Sequence, residues 1–296
     1  MNRKIVISAI FLIFIFSFGC QNKNIKGFAE INNTSIFYSI SGKGIPIILV
    51  HGFTFDSQCW KYQIPILEKQ YQVISYDLRG FGKSSLPDTA QAYSHTLDLL
   101  SLMDYLGIDQ AVLLGHSYGG RVVIDFSLKY PERVIGLILP EAAMDANDME
   151  YGSEFDELIK WLSDTRNAFE SEGLEKAKEV WMSGPPLLPS IRNAKSRSLV
   201  EKMINEYSGW HWINRNSNPL VGFENYSVKD FQKIEVPTLI LYGSISPIGY
   251  LKLAEIQNEN FPNSKLVEIS NAAHALNIEN PDQFNKELLD FLKDIK

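Results

Sequence analysis

Short apolar runs alternate with amphipathic helical patterns along most of this chain. Two such runs, residues 28–31 and 34–39, flank the pair Asn32-Asn33, which is a β-hairpin signal. The later runs have the length of buried strands, and they predict strands at residues 45–50, 71–76, 111–114, 134–139, 238–242 and 265–269. Because these strands alternate with helices, the sequence predicts a mostly parallel sheet that helices cover on both faces.

The segments between the apolar runs carry helical spacing. From Thr96 to Leu106 the apolar residues recur every three or four positions. A second helix, with Val122 and Phe126 on one side, follows the run at 111–114. A closing helix begins at Pro281, and proline suits the first turn of a helix.

One long segment, from about residue 144 to residue 226, contains helical patterns and no strand-like run. Four of the five tryptophans of the chain lie in it: Trp161, Trp181, Trp210 and Trp212. We interpret residues 144–226 as a helical lid over an active site, inserted into a core formed by residues 28–143 and 227–296. The alternative is that these tryptophans pack only the small core of the lid itself.

The first twenty residues differ from the rest of the chain. A basic start, Asn2-Arg3-Lys4, precedes the uncharged apolar run from Ile5 to Phe18, which is shorter than the roughly 17–25 residues of a membrane span. This anatomy indicates a signal peptide. The run ends at Ser17-Phe18-Gly19-Cys20, and a small residue just before a cysteine resembles the lipobox of bacterial lipoproteins, although Ser17 stands where an aliphatic residue is usual.

The lipobox resemblance implies a lipid on Cys20 as the mature N-terminus, and a tether of residues 21–27. It also implies a place in the bacterial cell envelope, anchored to a membrane by the lipid. The alternatives are an ordinary cleaved signal peptide and an uncleaved anchor. Cys59 would then be the one free thiol, which we interpret as a small buried hydrophobe without a catalytic role.

Composition excludes several classes of function. The 296 residues are 45% apolar and carry a formal net charge of −7 that is spread without a basic block, so nucleic acid is excluded as a partner. Two cysteines do not make a disulfide framework. No His, Cys, Asp and Glu residues recur at metal-ligand spacing, and the sequence implies no cofactor.

The strongest chemical signal is Gly115-His116-Ser117-Tyr118-Gly119-Gly120, which lies between a predicted strand and a predicted helix. A serine on such a sharp turn projects its hydroxyl into a site, and the flanking glycines avoid collisions of a Cβ with neighbouring strand and helix. The helix N-terminus supplies N–H groups that favour developing negative charge. The alternative, a glycine-rich turn without chemistry, does not require this strand and helix context.

From residue 28 onward the chain resembles the α/β-hydrolase family. Three further motifs match it: His51-Gly52-Phe53 at the oxyanion loop, residues 77–84 at the D-x-R-G-x-G-x-S turn, and Ala273-His274-Ala275 before Glu279-Asn280-Pro281 at the histidine loop. The resemblance implies a mostly parallel eight-stranded sheet flanked by helices, with the helical lid inserted after strand 6. It also implies Ser117 as nucleophile and His274 as general base, with the backbone N–H groups of Phe53 and Tyr118 as the oxyanion hole.

The family's usual acid is missing. Ser246 stands where the aspartate of the G-x-x-D pattern is expected, and a serine cannot stabilise an imidazolium as a carboxylate does. We predict Glu141 as the substitute, because it follows the 134–139 strand through Pro140 and because its surroundings resemble those of the acid in one group of haloalkane dehalogenases and in coelenterazine luciferases. The alternative is a hinge residue of the lid. The Ser246 hydroxyl is then expected to have no part in stabilising charge.

The remaining polar motif residues have weaker predicted roles. His51 and His116 are expected to orient loops through hydrogen bonds, and His95 to lie in solvent at a helix start. His211 has an open alternative, contact with substrate. Asp77 and Arg79 are expected to act as a structural clamp of their turn.

A serine in the place of the nucleophile disfavours dehalogenase, epoxide hydrolase and luciferase chemistry, which the family performs with an aspartate there. Ser117 instead predicts acyl transfer to water, as in a carboxylesterase or lactonase acting on a small, largely apolar ester-like substrate. Two alternatives stay open. One is a carbon–carbon bond hydrolase of the same fold, and the other is a non-catalytic ligand-binding homologue.

Overall fold

The structure is a computed structural model that describes residues 24–214 and 226–295. The proposed signal peptide and Cys20 lie outside these residues. Eight strands are present: β1 Ile25–Ile31, β2 Thr34–Gly42, β3 Pro46–Val50, β4 Gln72–Tyr76, β5 Ala111–Gly115, β6 Val134–Pro140, β7 Thr238–Gly243 and β8 Ser264–Ile269. All eight predicted strands are confirmed to within three residues at each end.

The strands form one sheet in the order β1-β2-β4-β3-β5-β6-β7-β8. The first two pairings are antiparallel and the other five are parallel. At the β1–β2 turn, Asn32 and Asn33 both have positive φ, which the two-residue hairpin turn requires and asparagine tolerates. The predicted α/β-hydrolase fold with a mostly parallel eight-stranded sheet is confirmed.

Helices cover both faces of the sheet. Those of the core are α1 Ile64–Leu67, α2 His95–Leu106, α3 Tyr118–Lys129, α9 Ile248–Asn260, α10 Leu276–Glu279 and α11 Pro281–Leu292. Alternate residues of one strand enter opposite cores: Ile48 and Val50 of β3 pack in one cluster, whereas Ile47 and Leu49 pack in the other. A strand buried on both faces needs apolar residues at every position, which explains the continuous apolar runs of the sequence.

Between β6 and β7 the described residues form helices and no strand. These are α4 Asp156–Glu172, α5 Leu174–Ser183, α6 Leu188–Arg192, α7 Arg197–Glu206 and α8 Trp210–Ile213. Inside this helical insertion the Trp161 ring stacks on Trp181 at 4.0 Å, and the Trp181 indole N–H donates to Thr54 Oγ1 of the core at 2.9 Å. The tryptophans therefore pack both the insertion itself and its junction with the core.

Three strand ends at one edge of the sheet position the candidate site. The carboxyl ends of parallel strands meet at one edge of a sheet, and β5, β6, β7 and β8 are neighbours there. Ser117 follows β5, Glu141 follows β6 and His274 follows β8. Within residues 24–214 and 226–295, no helix has both the length and the apolar character needed to cross a membrane.

Candidate active site

Ser117 occupies a tight turn between β5 and α3. Its φ of 52° and ψ of −116° lie outside the regions that residues with a side chain usually adopt. The turn is held by neighbouring backbone, because Ser117 N–H donates to Pro140 O at 3.1 Å and Ser117 O accepts from Gly120 N–H at 2.8 Å. A Cβ on Gly119 would lie 2.3 Å from Val50 O, so glycine is required there. The local sequence thus forces the serine side chain out of both flanking elements.

His274 faces the Ser117 hydroxyl. Its Nε2 lies 2.9 Å from Ser117 Oγ, within hydrogen-bond distance. Its backbone carbonyl accepts a 2.7 Å hydrogen bond from His116 Nε2, which ties the histidine loop to the nucleophile turn. Burial lowers the pKa of His274 to about 3. A neutral imidazole at rest is the form that can take the serine proton.

Glu141 lies on the other side of His274. Its Oε2 is 3.5 Å from His274 Nδ1, longer than the 2.6–3.2 Å of a good catalytic hydrogen bond. Oε1 is held more tightly, by Gly243 N–H at 2.7 Å and by the Ser246 hydroxyl at 2.8 Å. Glu141 has a φ of 47° and its side chain is fully buried. Burial raises its pKa to about 7, although both hydrogen bonds to Oε1 act to lower it.

The role expected for Ser246 was wrong. Its hydroxyl donates to Glu141 Oε1 and so stabilises the ionised carboxylate, instead of having no electrostatic role. The residues lie 105 positions apart, and they meet because β6 and β7 are paired, with Glu141 N–H donating to Leu241 O at 2.8 Å. Ser246 stands where the aspartate is expected, and from the turn after β7 it thus stabilises the Glu141 carboxylate at the end of β6.

Ser246→Ala should shift the pH dependence of activity. For a triad with Glu141 as its acid, we expect activity to be lost as pH falls through the pKa of Glu141, because only the ionised carboxylate supports an imidazolium. Removing a donor raises that pKa, and the acid limb of kcat/KM should move upward by about one pH unit, since a hydrogen bond to a charged group contributes about 1.5 kcal/mol. The pH profile of ester hydrolysis measures this shift.

Ser244→Ala is the matched control for this experiment. Ser244 lies on the same turn, and its hydroxyl accepts from Asn271 N–H without contacting Glu141. Its pH profile should overlay that of the wild type. An unchanged acid limb in Ser246→Ala would show that the hydroxyl does not control the ionisation of Glu141.

Phe53 and Tyr118 border the same space as Ser117. Tyr118 begins α3 and Phe53 follows β3 after Gly52. A Cβ on Gly52 would lie 3.2 Å from Ser117 Cβ, so the backbone just before Phe53 passes directly beside the serine. The first N–H groups of a helix point away from its interior toward a neighbouring acceptor. This arrangement can present two backbone donors to an oxygen bonded at the serine.

The predictions for His51 and His95 have different outcomes. His51 orients loops as predicted, since Leu78 N–H donates to its Nε2 at 2.9 Å. His95 begins α2, but the solvated position predicted for it was wrong, because the ring is completely buried among Phe81, Tyr93 and Tyr118. Aromatic side chains from distant parts of the chain cover it, which local sequence does not reveal.

His211 lines the cavity that contains Ser117. Its Nδ1 is 2.9 Å from the Tyr207 hydroxyl and its Nε2 is 3.1 Å from the Tyr93 hydroxyl. Burial lowers the pKa of His211 to about 3. The ring is therefore neutral and held between two tyrosines at the wall of the site.

Asp77 and Arg79 stabilise their turn through different partners. Asp77 accepts hydrogen bonds from the backbone N–H groups of Ser57 and Lys83, both at 2.8 Å. Arg79 binds the buried Asp98 with two nitrogens, at 2.6 and 2.9 Å. Each residue is structural, as predicted, but they do not pair with each other.

Cys59 is buried, and burial raises the pKa of its thiol well above the usual value.

The side chains of Ser117 and His274 line a cavity of about 640 Å³. The core contributes Phe53 and Tyr118 to its lining, and the helical insertion contributes Trp181 and Trp212. A larger cleft of about 870 Å³ is lined mainly by polar and charged side chains and contains neither Ser117 nor His274. Among the described residues, no three His, Cys, Asp or Glu side chains are grouped as a metal site requires.

Comparison with known proteins agrees with this architecture. A family model described as the alpha/beta hydrolase fold matches residues 45–281. A protein of Synechocystis sp., provisionally named a non-heme chloroperoxidase, is 31% identical over 274 residues, which cover 87% of this chain and 95% of the relative.

Two similar proteins are esterases by name. A pimeloyl-[acyl-carrier protein] methyl ester esterase of Legionella pneumophila is 28% identical over 259 residues, 85% of this chain and 97% of that protein. The structure of a thermophilic esterase from Thermogutta terrifontis superposes with a TM-score of 0.73 at 26% identity, over 93% of this chain and 99% of that one.

Proposed function

The chain belongs to the alpha/beta hydrolase fold family and is a hydrolase of the esterase or lactonase type, and we propose that it cleaves an ester or similar acyl bond of a small, largely apolar substrate through an acyl-enzyme intermediate. The observation that carries this proposal is the 2.9 Å contact between Ser117 Oγ and His274 Nε2 inside a largely apolar cavity. A hydroxyl next to a neutral buried imidazole is suited to nucleophilic attack on an acyl carbon.

In the proposed reaction Ser117 Oγ forms a bond to the acyl carbon while its proton passes to His274 Nε2. The acyl oxygen becomes an oxyanion, which the backbone N–H groups of Phe53 and Tyr118 stabilise. When the tetrahedral species collapses, the bond to the leaving oxygen breaks and that oxygen takes the proton from His274. Water then repeats the sequence on the acyl-serine, releasing the acid and restoring the Ser117 hydroxyl.

We assign Glu141 the part of the triad acid. The imidazolium formed during attack is buried, where an uncompensated charge is costly. The carboxylate 3.5 Å from Nδ1 would offset that cost, and apo contacts of this kind shorten when the reaction charges the imidazole. The Trp181 and Trp212 rings at the cavity support the assignment of the helical insertion as a lid that excludes water from these charges.

A fluorophosphonate probe tests the proposed function directly. The full-length protein should form a covalent adduct on Ser117 at neutral pH, because the probe phosphorus reacts with an activated serine oxygen. Mass spectrometry of the peptide that contains Ser117 would locate the adduct, and heat-unfolded protein is the control for non-specific reaction. A folded protein that does not label would favour the non-catalytic alternative and overturn the proposal.

We also propose that Cys20 carries a lipid that anchors the enzyme to a membrane of a bacterial cell envelope. This proposal depends on the sequence alone, on Gly19-Cys20 directly after the apolar run from Ile5 to Phe18.

The anchor predicts a measurable modification. When the full chain is expressed in a bacterium, it should partition with membranes and have the mass of a processed, lipidated N-terminus. Cys20→Ser should lose both properties, whereas Cys59→Ala, at the buried second cysteine, should keep them. An unmodified Cys20 in the exported wild type would contradict the proposal without affecting the assignment of Ser117.

A further inference from the structure

The mouth of the Ser117 cavity is apolar although it faces water. Four of its lining residues are large apolar side chains that stay about half exposed: Tyr151 at 49%, Ile159 at 52%, Leu162 at 53% and Ile213 at 56%. Apolar groups grouped at the opening of a cavity mark a binding surface more often than scattered ones do. We call Ile159, Leu162 and Ile213 the rim.

Helix α4 explains how the cavity opens at the rim. One column of its side chains, Leu158 and Trp161, is buried in the wall of the cavity, and the next column, Ile159 and Leu162, lines the same cavity while remaining exposed. Residues three apart lie on one helix face, so the two columns run side by side along the axis. The cavity therefore extends from the partly buried Ser117 to the surface beside α4.

The lining provides no free charge for a charged substrate group. Arg166 and Glu170 are the Arg and Glu residues of the lining; they lie one helical turn apart, 3.8 Å from each other, and both side chains are exposed. An ion pair in water offers little affinity to a third group. The rest of the path from the serine to the rim is mainly apolar, which favours a hydrocarbon occupant over a polar one.

We propose that the substrate is an ester with a long, unbranched apolar chain, and that this chain extends from Ser117 through the cavity to the rim, where Ile159, Leu162 and Ile213 contact its distal part. The proposal rests on the proposed serine hydrolase function and specifies its substrate class. When such a chain fills the cavity, its methylenes and the rim side chains are both buried away from water. Each methylene buried in this way should raise kcat/KM about fourfold.

The test is a series of monomeric p-nitrophenyl esters from acetate upward, kept below the concentration at which they form micelles. In the wild type, kcat/KM should rise with chain length until the chain passes the rim. The double variant Ile159→Ser with Leu162→Ser should reduce the ratio of kcat/KM on the longest chains to kcat/KM on acetate at least tenfold. Leu97→Ser is the matched control, because Leu97 is a 47% exposed leucine on α2 outside the cavity lining.

A wild-type profile that is flat or falls beyond short acids would overturn the proposal, and so would a rim variant that keeps the long-chain preference. Fluorophosphonate labelling of the same preparations separates the two levels of inference. Labelling without a chain-length preference would reject the substrate class and leave the serine hydrolase intact. Absence of labelling would reject the underlying function.

A second, independent observation concerns Glu279, which lies in α10 beyond the histidine loop and is 5% exposed. Its Oε2 accepts from Ala273 N–H at 2.8 Å and its Oε1 from Ala275 N–H at 3.1 Å. One carboxylate thus holds the backbone on both sides of His274. The Ser190 hydroxyl in α6 also donates to Oε1, at 2.5 Å, which connects the helical insertion to this loop.

We infer that Glu279 is a positioning residue that sets the orientation of His274 toward Ser117. It does not line the cavity, and its carboxylate accepts from the amides on both sides of His274 and not from the imidazole ring. A glutamine at this position has one acceptor oxygen in place of two, so it can satisfy only one of the amides fully. The loop would then relax, and small displacements of a reacting group lower rates strongly.

Glu279→Gln should lower kcat about 10- to 100-fold while KM changes less than twofold, in rates normalised to folded protein. Glu268→Gln is the control, because the Glu268 carboxylate on β8 accepts from the Tyr242 hydroxyl of β7 and not from an amide of the histidine loop. A purely structural role would lower the Tm and leave kcat per folded molecule unchanged. That result, or an equal loss in the control, would overturn the inference.

Discussion

Ser117→Ala is expected to reduce ester hydrolysis roughly 10⁴- to 10⁶-fold, the range found when the nucleophile of a triad is removed. The methyl group cannot form the acyl bond, and His274 Nε2 loses the hydroxyl that lies 2.9 Å away. The backbone should keep its form, because Ala occupies the left-handed region no worse than Ser and the glycines around it are unchanged. Initial rates with an activated ester, together with circular dichroism, measure both effects.

The companion variants distinguish a triad from independent contributions. His274→Ala should be reduced by a similar factor, and the double variant should be hardly worse than either single one, since groups that act as a unit have non-additive effects. Turnover by Ser117→Ala at more than a hundredth of the wild-type rate, after contaminating esterases are excluded, would refute covalent catalysis by Ser117.

Glu141→Gln is expected to lower kcat about 10²- to 10⁴-fold, because its amide would force the wrong tautomer of His274. Gly243 N–H and the Ser246 hydroxyl both point at the Oε1 position, so they would hold the amide oxygen there. The amide NH₂ would then face Nδ1 of His274 and donate to it. Nε2 would carry the ring proton and could not accept one from Ser117.

A relocation experiment sharpens this prediction. The Ser246 hydroxyl lies 2.8 Å from Glu141 Oε1, so an aspartate there would place a carboxylate next to the side chain at position 141. The double variant Glu141→Gln with Ser246→Asp should be at least tenfold faster than Glu141→Gln alone. Glu141→Gln with Ser244→Asp is the control and should show no such gain, because Ser244 faces Asn271 instead. Full activity in Glu141→Gln alone would show that another group stabilises the imidazolium.

Local sequence predicted the elements of this protein and the two side chains, Ser117 and His274, that the structure brings within 2.9 Å of each other. Strands buried on both faces require uninterrupted apolar runs, so β3, β5, β6 and β7 could be predicted within one or two residues of their observed ends. The turn that contains Ser117 could be predicted because its glycines relieve contacts that any such turn makes. Glu141 could be selected because a residue directly after β6 must lie at the same sheet edge as Ser117.

Tertiary structure alone decided how these groups are supported. The hydroxyl of Ser246 and the carboxylate of Glu141 are 105 residues apart, and strand pairing sets their distance. The burial of His95 likewise depends on side chains that approach from other elements.

The same division applies to the histidine loop and the rim. The backbone amides on both sides of His274 donate to the Glu279 carboxylate because the histidine loop leads into α10. The Ser190 hydroxyl, in the helical insertion, donates to the same carboxylate. The exposure of Ile159 and Leu162 depends on which side of α4 packs against other elements, since Leu158 and Trp161 of the same helix are buried. Spacing in a sequence determines which face of an element is apolar, whereas the partner of each hydrogen bond and the exposure of each side chain follow from contacts between residues far apart in the chain.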